Sequence, residues 1–211
     1  MRKSTIIELA LFRANENVSR EELKVVLNGF VDFNAEQEGF ISEENYMALD
    51  GQILSVAYWT DLASAKSAEA KGNQDPEFGK LFDRFMEKID PKTLFRGFFE
   101  IFNDTLTETS KANIVEFSRF KIKEGVNSEE FQMEMAKLND FLTKQKGFVS
   151  RQIAFAPDGH YLDLAYWTDL DRAKAAFEKA DKDPEFSKVL NIFDMGTEFF
   201  EYFEILNSTN Q

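Results

Sequence analysis

Two hydrophobic periods alternate along this chain, and they do so in the same order twice. Residues 5–13 and 113–122 are short and rich in β-branched and aromatic side chains, as strands are. Ser19-Arg20-Glu21-Glu22 and Asn127-Ser128-Glu129-Glu130 then set a capping residue three positions before a Glu, which predicts a helix start. Leu23, Leu27, Phe30 and Phe33 follow at helical spacing, as do Phe131, Met135, Leu138, Phe141 and Leu142. Gly39 and Gly147 end these helices. Residues 40–49 and 148–156 read as second strands. Asp50-Gly51 and Asp158-Gly159 predict two-residue hairpin turns into third strands at 53–59 and 161–167. Thr60-Asp61 and Thr168-Asp169 open a helix rich in Ala and Lys. Asp75-Pro76 and Asp183-Pro184 restart it, with Pro at the first helical position. Strands at 94–102 and 199–206 complete the order β-α-β-β-α-β in each half.

The repetition extends to residue identity. Ala57-Tyr58-Trp59-Thr60-Asp61-Leu62 returns as Ala165-Tyr166-Trp167-Thr168-Asp169-Leu170, and Asp75-Pro76-Glu77-Phe78 as Asp183-Pro184-Glu185-Phe186, both at an offset of 108. Glu8 and Glu116 keep that offset. The final Phe-Glu-Ile segments match at 104, so the second copy has lost about four residues before its last strand. Two copies of this length make a duplicated domain, since solenoid repeats run about 20–50 residues. The element order is that of the ferredoxin-like unit, four antiparallel strands with two helices on one face. The bare sheet faces need cover. The expected fold class is therefore α+β, with two ferredoxin-like repeats whose sheets pack within the chain as a pseudo-dimeric barrel. Residues 1–102 and 113–211 are the expected domains and 103–112 a polar linker, able to span roughly 33 Å when extended. A monomer, or a weak homodimer, follows from that arrangement.

Composition narrows the partners. The chain carries 23 Phe, a load suited to aromatic cores or an apolar cavity. Its net charge of −13 and lack of a basic stripe argue against nucleic acid and anionic membranes. With no Cys and a single His, thiolate chemistry and multi-His metal sites are excluded, so no metal and no cofactor are expected. Met1-Arg2-Lys3 and the apolar run after it faintly imitate a leader. Glu8 interrupts that run and the second copy repeats it, so it reads as a strand, and a cytoplasmic setting is expected.

The strand–Tyr-Trp-Thr-Asp-Leu–helix–Asp-Pro-Glu-Phe pattern resembles the dimeric α+β barrel superfamily, which includes the antibiotic-biosynthesis monooxygenases. The likeness spans nearly the whole chain, once per half, and implies a fused pseudo-dimer. It implies several activities: cofactor-free quinone-forming oxygenation, haem degradation, isomerisation, ligand binding or a stress-associated structural role. Haem-degrading relatives carry an Asn and a His where this chain has Ala10 or Ser118 and Phe82 or Leu190, so haem chemistry is not expected. What remains is a protein binding or oxygenating a hydrophobic or aromatic small molecule in an apolar pocket, a non-catalytic binder of a fatty or aromatic ligand, or a stress-associated structural module.

Trp59 and Trp167 each end a strand before a helix, where an indole either stacks on a flat ligand or plugs the sheet–helix junction. Glu8 and Glu116 sit mid-strand on the face that carries Phe12 and Phe120, where a carboxylate must be hydrogen-bonded, neutralised or facing a wet cavity. Ser42, Glu44, Ser150, Gln152, Arg119 and Asp163 are further polar strand residues, expected to share one network between the sheets. The second copy alone has His160, Arg119, Asp163 and Tyr161, where the first has Gln52, Leu11, Ser55 and Ile53. His160, Arg119 and Asp163 are therefore the expected catalytic set, with His160 as base or a solvated turn residue. Trp59, Trp167, Glu8, Glu116 and Tyr161 are the expected ligand contacts, and the second copy is the expected active half.

Overall fold

A computed structural model describes residues 4–104 and 112–208 of the chain; residues 105–111, most of the expected linker, lie outside them. The first copy runs β1 (Ile6–Ala14), α1 (Arg20–Ala35), β2 (Phe40–Ala48), β3 (Gln52–Trp59), α2 (Leu62–Gly72), α3 (Pro76–Met86) and β4 (Ile89–Asp104). The second runs β5 (Ile114–Ile122), α4 (Ser128–Leu142), β6 (Phe148–Phe155), β7 (Tyr161–Trp167), α5 (Leu170–Asp181), α6 (Pro184–Leu190) and β8 (Phe193–Ser208). The fold class is α+β; in the first copy the strands hydrogen-bond in the order β4-β1-β3-β2, and in the second in the order β8-β5-β7-β6. Among the described residues no helix is long and apolar enough to cross a membrane.

Two compact units emerge, and their limits differ from the expected ones. The first comprises Met1–Ile101 with Phe203–Gln211, the second Phe102–Tyr202. The end of β8 thus belongs with the first unit, where it pairs with the outer edge of β2, Ala48 opposite Phe203. Sequence repetition marks copies, whereas strand pairing decides which residues pack together.

Local signals set the helix starts. Ser19 and Glu22 form a full capping box on α1. Asp61 accepts the Ser64 N–H and Asp75 those of Glu77 and Phe78, so α2 and α3 start where the sequence says. Amphipathic faces then bury Leu23, Val26 and Leu27 of α1 and Leu81 and Phe85 of α3 against Phe12 and Ile53 of the sheet. The second unit repeats this with Phe131, Met135, Leu138, Phe193 and Phe120.

Three expectations are corrected. β4 begins at Ile89, five residues early, because Pro91 hid the strand pattern; a register shift in β1 between Leu11 and Arg13 accommodates the segment. The hairpin after β2 is a three-residue loop rather than a two-residue turn. Only Gly51 has positive φ, at 84°, and its N–H bonds the Ala48 carbonyl at 3.1 Å, as in a type I turn followed by a left-handed glycine. Most consequential is a bulge in β2. Phe40 lies opposite Trp59 but Ser42 lies opposite Tyr58, so Ile41 is the extra residue and the alternation reverses beyond it. The same shift occurs in β6 between Phe148 and Ser150.

Gly39 leads into that bulge with φ 83°, and its carbonyl accepts the Thr60 N–H at 2.8 Å. A Cβ there would overlap Ser64 and come within 2.7 Å of Thr60 Oγ1, whereas one on Gly51 would meet nothing within 4 Å. Gly51→Ala is expected to cost the left-handed backbone penalty alone, about 1–2 kcal/mol. Gly39→Ala adds steric overlap and is expected to cost clearly more. Urea unfolding of the two variants side by side measures this; equal losses would show that the helix α2 start yields freely.

Candidate functional site

Each unit encloses a cavity between the helix-bearing sheet face and its helices, and the two stand at equivalent places in the repeat. The first has a volume of about 320 Å³ and the second about 70 Å³. The first is walled by six phenylalanines, Phe12, Phe30, Phe33, Phe78, Phe82 and Phe85, with Leu27 and Leu94 between them. Its polar side gathers Glu8, Asn34, Glu43, Ser55, Glu69 and Arg96 from six different elements.

Glu43 is the residue that most distinguishes this cavity. The β2 bulge turns it to the helix-bearing face, opposite Ala57, and leaves it 3% exposed. Asn34 Nδ2 of α1 donates to one carboxyl oxygen at 2.9 Å and Ser55 Oγ of β3 to the other at 3.0 Å. Burial, reinforced by the nearby Glu8 carboxylate, pushes its pKa up to about 7 against the pull of those hydrogen bonds. Such a carboxyl exchanges a proton near neutral pH. Glu8 stands apart from it in character. It receives the Trp59 indole N–H at 3.2 Å and Arg96 Nε at 3.2 Å, and Arg96 closes a second ion-pair contact to it. Arg96 also reaches Glu69 of α2 at 3.4 Å.

The second cavity keeps the frame and changes the chemistry. Arg151 takes the repeat position of Glu43 and Asp163 that of Ser55. Arg151, 2% exposed, donates through Nε to Asp163 at 2.7 Å and through Nη1 to the Met135 carbonyl at 3.2 Å. Glu116 beside them has its pKa pushed up to about 8, first by burial and then by the Asp163 carboxylate, with Arg151 opposing.

The structure sorts the expected site residues. Glu116, Asp163 and Trp167 line the small second cavity, and Glu8 lines the first. Trp59 lines neither; fully buried against Phe40, it holds Glu8 in place. Tyr161 stacks on Phe120 with ring centres 5.8 Å apart and is a packing residue. His160 sits at the β6–β7 hairpin tip with Nδ1 2.8 Å from Asp158, away from both cavities, and Arg119 lines neither. The single expected polar network is split: Asp163 lies on the helix-bearing face with Arg151, while Glu44 is buried elsewhere and accepts from Tyr46. The roomier cavity belongs to the first copy, whereas the polar substitutions point to the second as the active half. Glu43 escapes the sequence because strict alternation from Phe40 puts it on the wrong face, and Asn34, Glu69 and Arg96 because only packing of α1, α2 and β4 brings them to the cavity. Among the described residues no three His, Cys, Asp or Glu side chains group as metal ligands.

Comparison with known proteins bears on the fold. No family model matches the chain, and no curated protein matches it. Solved structures do. A candidate monooxygenase from Fusobacterium nucleatum aligns with a TM-score of 0.72 at 9% identity, covering 100% of this chain and 96% of that one. An anthrone oxidase-like protein aligns at 0.69 and 13%, covering 98% and 93%. A ferredoxin-fold protein related to antibiotic biosynthesis monooxygenases, from Listeria monocytogenes, aligns at 0.56 and 10%, covering 97% and 96%. At such identities the likeness is one of fold.

The buried carboxyls generate a stability prediction. A carboxyl near 4.5 when unfolded and near 8 when folded keeps its full contribution below the lower value. Between the two the native state holds a proton that the unfolded chain releases, so stability falls as pH rises, by at most about 1.4 kcal/mol per unit. Glu116→Gln removes that group's share of the decline, leaving the part due to Glu43, which ends near 7. Urea unfolding at pH 5 and pH 8 is expected to show a smaller loss in Glu116→Gln than in the wild type; parallel losses would mean Glu116 is ionised at neutral pH.

Proposed function

Since the chain has the fold of the dimeric α+β barrel superfamily, we propose that its first unit binds one flat, largely apolar phenolic compound and oxygenates it without a cofactor, Glu43 taking the proton. The observation that carries this reading is a proton-exchanging carboxyl at the polar side of a phenylalanine-walled cavity. The cavity volume of about 320 Å³ lies at the low end of the roughly 300–1,000 Å³ usual for ligand pockets, enough for one compact molecule. Glu43 accepts the phenolic proton, and Asn34 and Ser55 steady both of its oxygens. The resulting phenolate is electron-rich enough to reduce dioxygen. A ring C–H becomes C=O with one oxygen atom, and the other leaves as water, so phenol and O₂ give quinone and H₂O with four electrons passed. One structural neighbour is described as anthrone oxidase-like, and anthrone is a flat ketone whose deprotonation at the ring CH2 gives an anion equivalent to a phenolate.

The phenylalanine wall alone would also serve a non-catalytic binder, and oxygen uptake separates the two readings. With anthrone or 2-naphthol as substrate, the wild type is expected to consume oxygen. Its kcat/KM is expected to fall about tenfold per pH unit below pH 7 and to level above it, because only ionised Glu43 accepts a proton. Glu43→Gln is expected to lose about 10²-fold or more in kcat, a usual general-base contribution, while still binding. Tight binding with no oxygen consumption would make the protein a binder. A variant as active as the wild type would remove Glu43 from the chemistry.

A further inference from the structure

The two cavities share part of their lining through the repeat, yet differ more than fourfold in volume, about 320 Å³ against about 70 Å³. Phe12, Phe33, Ala57, Ala68 and Phe85 of the first recur as Phe120, Phe141, Ala165, Ala176 and Phe193 of the second, and these ten positions line their respective cavities. The difference must therefore lie in the lining positions that changed. Where the first unit has Glu69 on α2 and Arg96 on β4, the repeat offsets of 108 and 104 place Phe177 on α5 and Phe200 on β8. Glu69 and Arg96 meet as an ion pair at 3.4 Å, with the Arg96 side chain 46% exposed. Phe177 and Phe200 meet ring to ring, centres 5.5 Å apart, and both line the small cavity.

These two bridges join the same helix to the same strand, and they behave differently. The charged heads of Glu69 and Arg96 are engaged by other charges: Glu69 also binds Lys66 at 2.8 Å, and Arg96 is held by Glu8 on the polar side of the cavity. A solvated pair of this kind leaves the apolar space beneath it empty and separates at little cost. Two rings instead gain by staying together, and both wall the narrower space, Phe177 from a position 44% exposed. Two further changes act in the same direction. Leu142 replaces Asn34, and Arg151, tied to Asp163 and the Met135 carbonyl, occupies the floor where Glu43 and Ser55 stand in the first unit.

We propose that Glu69 and Arg96 are the residues that keep the first cavity open to an aromatic ligand, and that Phe177 and Phe200 close the second, so the chain takes up one ligand rather than two. The proposal rests on the reading that the first cavity is a ligand site. It makes the duplication a division of labour: one copy offers a cavity with a proton-exchanging floor, and the other a filled core braced by an ion pair.

Two probes on the full chain test it and keep the two readings apart. Xenon, followed by methyl shifts in NMR, reports empty apolar space whatever the true ligand is. In the wild type it is expected to shift Leu27 and Leu94 clearly more than Leu138, Leu142 and Leu190, in line with the larger first cavity. Phe177→Ala/Phe200→Ala is expected to strengthen the responses of the latter three, and Glu69→Phe/Arg96→Phe to abolish those of Leu27 and Leu94. Glu69→Phe alone, which leaves Arg96 on Glu8, is the fallback if the double variant does not fold, and is expected to reduce the same responses. Calorimetry with 2-naphthol is expected to give one site per chain, weakened at least tenfold by Glu69→Phe/Arg96→Phe. Equal xenon responses in the two units, or a first cavity indifferent to Glu69→Phe, would overturn the proposal, as would two naphthol sites per chain. Xenon responses as expected with no naphthol bound would uphold the closure and instead sink the phenol-binding reading.

Discussion

Inserting Ile41 as an extra residue in β2 carries Glu43 across the sheet, and the chemistry of the first cavity depends on that rotation. A carboxyl on the helix-bearing face has lost most of its water, and the protein replaces that water with neutral donors, Asn34 and Ser55 among them. Desolvation then outweighs hydrogen bonding and brings the proton affinity to the neutral range. Without the bulge the same Glu would point to the other face, and the cavity would keep carboxylates already engaged, Glu8 by Trp59 and Arg96 and Glu69 by Lys66.

The same bulge in the second copy delivers Arg151 to the equivalent place, and there the outcome is inverted. A buried guanidinium demands a counter-charge, and Asp163, at the position of Ser55, supplies it with paired hydrogen bonds. The pair satisfies itself and fills the space it lines. Duplication thus preserved backbone geometry, down to one extra residue in a strand, while the side chains on that geometry parted company. A conserved frame with exchanged charges explains how two halves alike in caps, turns and core can hold cavities of such different size.

How far the sequence discloses this follows from the range of the interactions involved. Caps at Ser19, Asp61 and Asp75 act within three residues, so they can be read directly, and the strand–helix order follows from them. The repeat and the four-stranded, two-helix unit are just as local. The bulge is not, because nothing in Phe40-Ile41-Ser42-Glu43 announces an inserted residue; only pairing with Trp59 and Tyr58 reveals it. Alternation applied without it favours Ser42 and Glu44 and passes over Glu43. The polar novelty of His160, Tyr161 and Arg119 drew attention to the second copy. There the fold spends Tyr161 on packing and keeps His160 on a turn, because a hairpin tip lies outside the helix-bearing face. Cavity size was hidden for a related reason: it depends on pairs such as Phe177 with Phe200, which only the assembled sheet brings together.

The account turns on the protonation of one side chain, and that can be observed without any substrate. Carbon-13 labelling of glutamate, with Glu43→Gln to assign the resonance, allows the Glu43 carboxyl carbon to be followed across pH by NMR. A midpoint near 7, well above the ordinary carboxyl range, is what the buried, bulge-positioned carboxyl requires. A midpoint below 5 would contradict it, placing Glu43 in contact with water or a cation and leaving the first cavity without a proton acceptor.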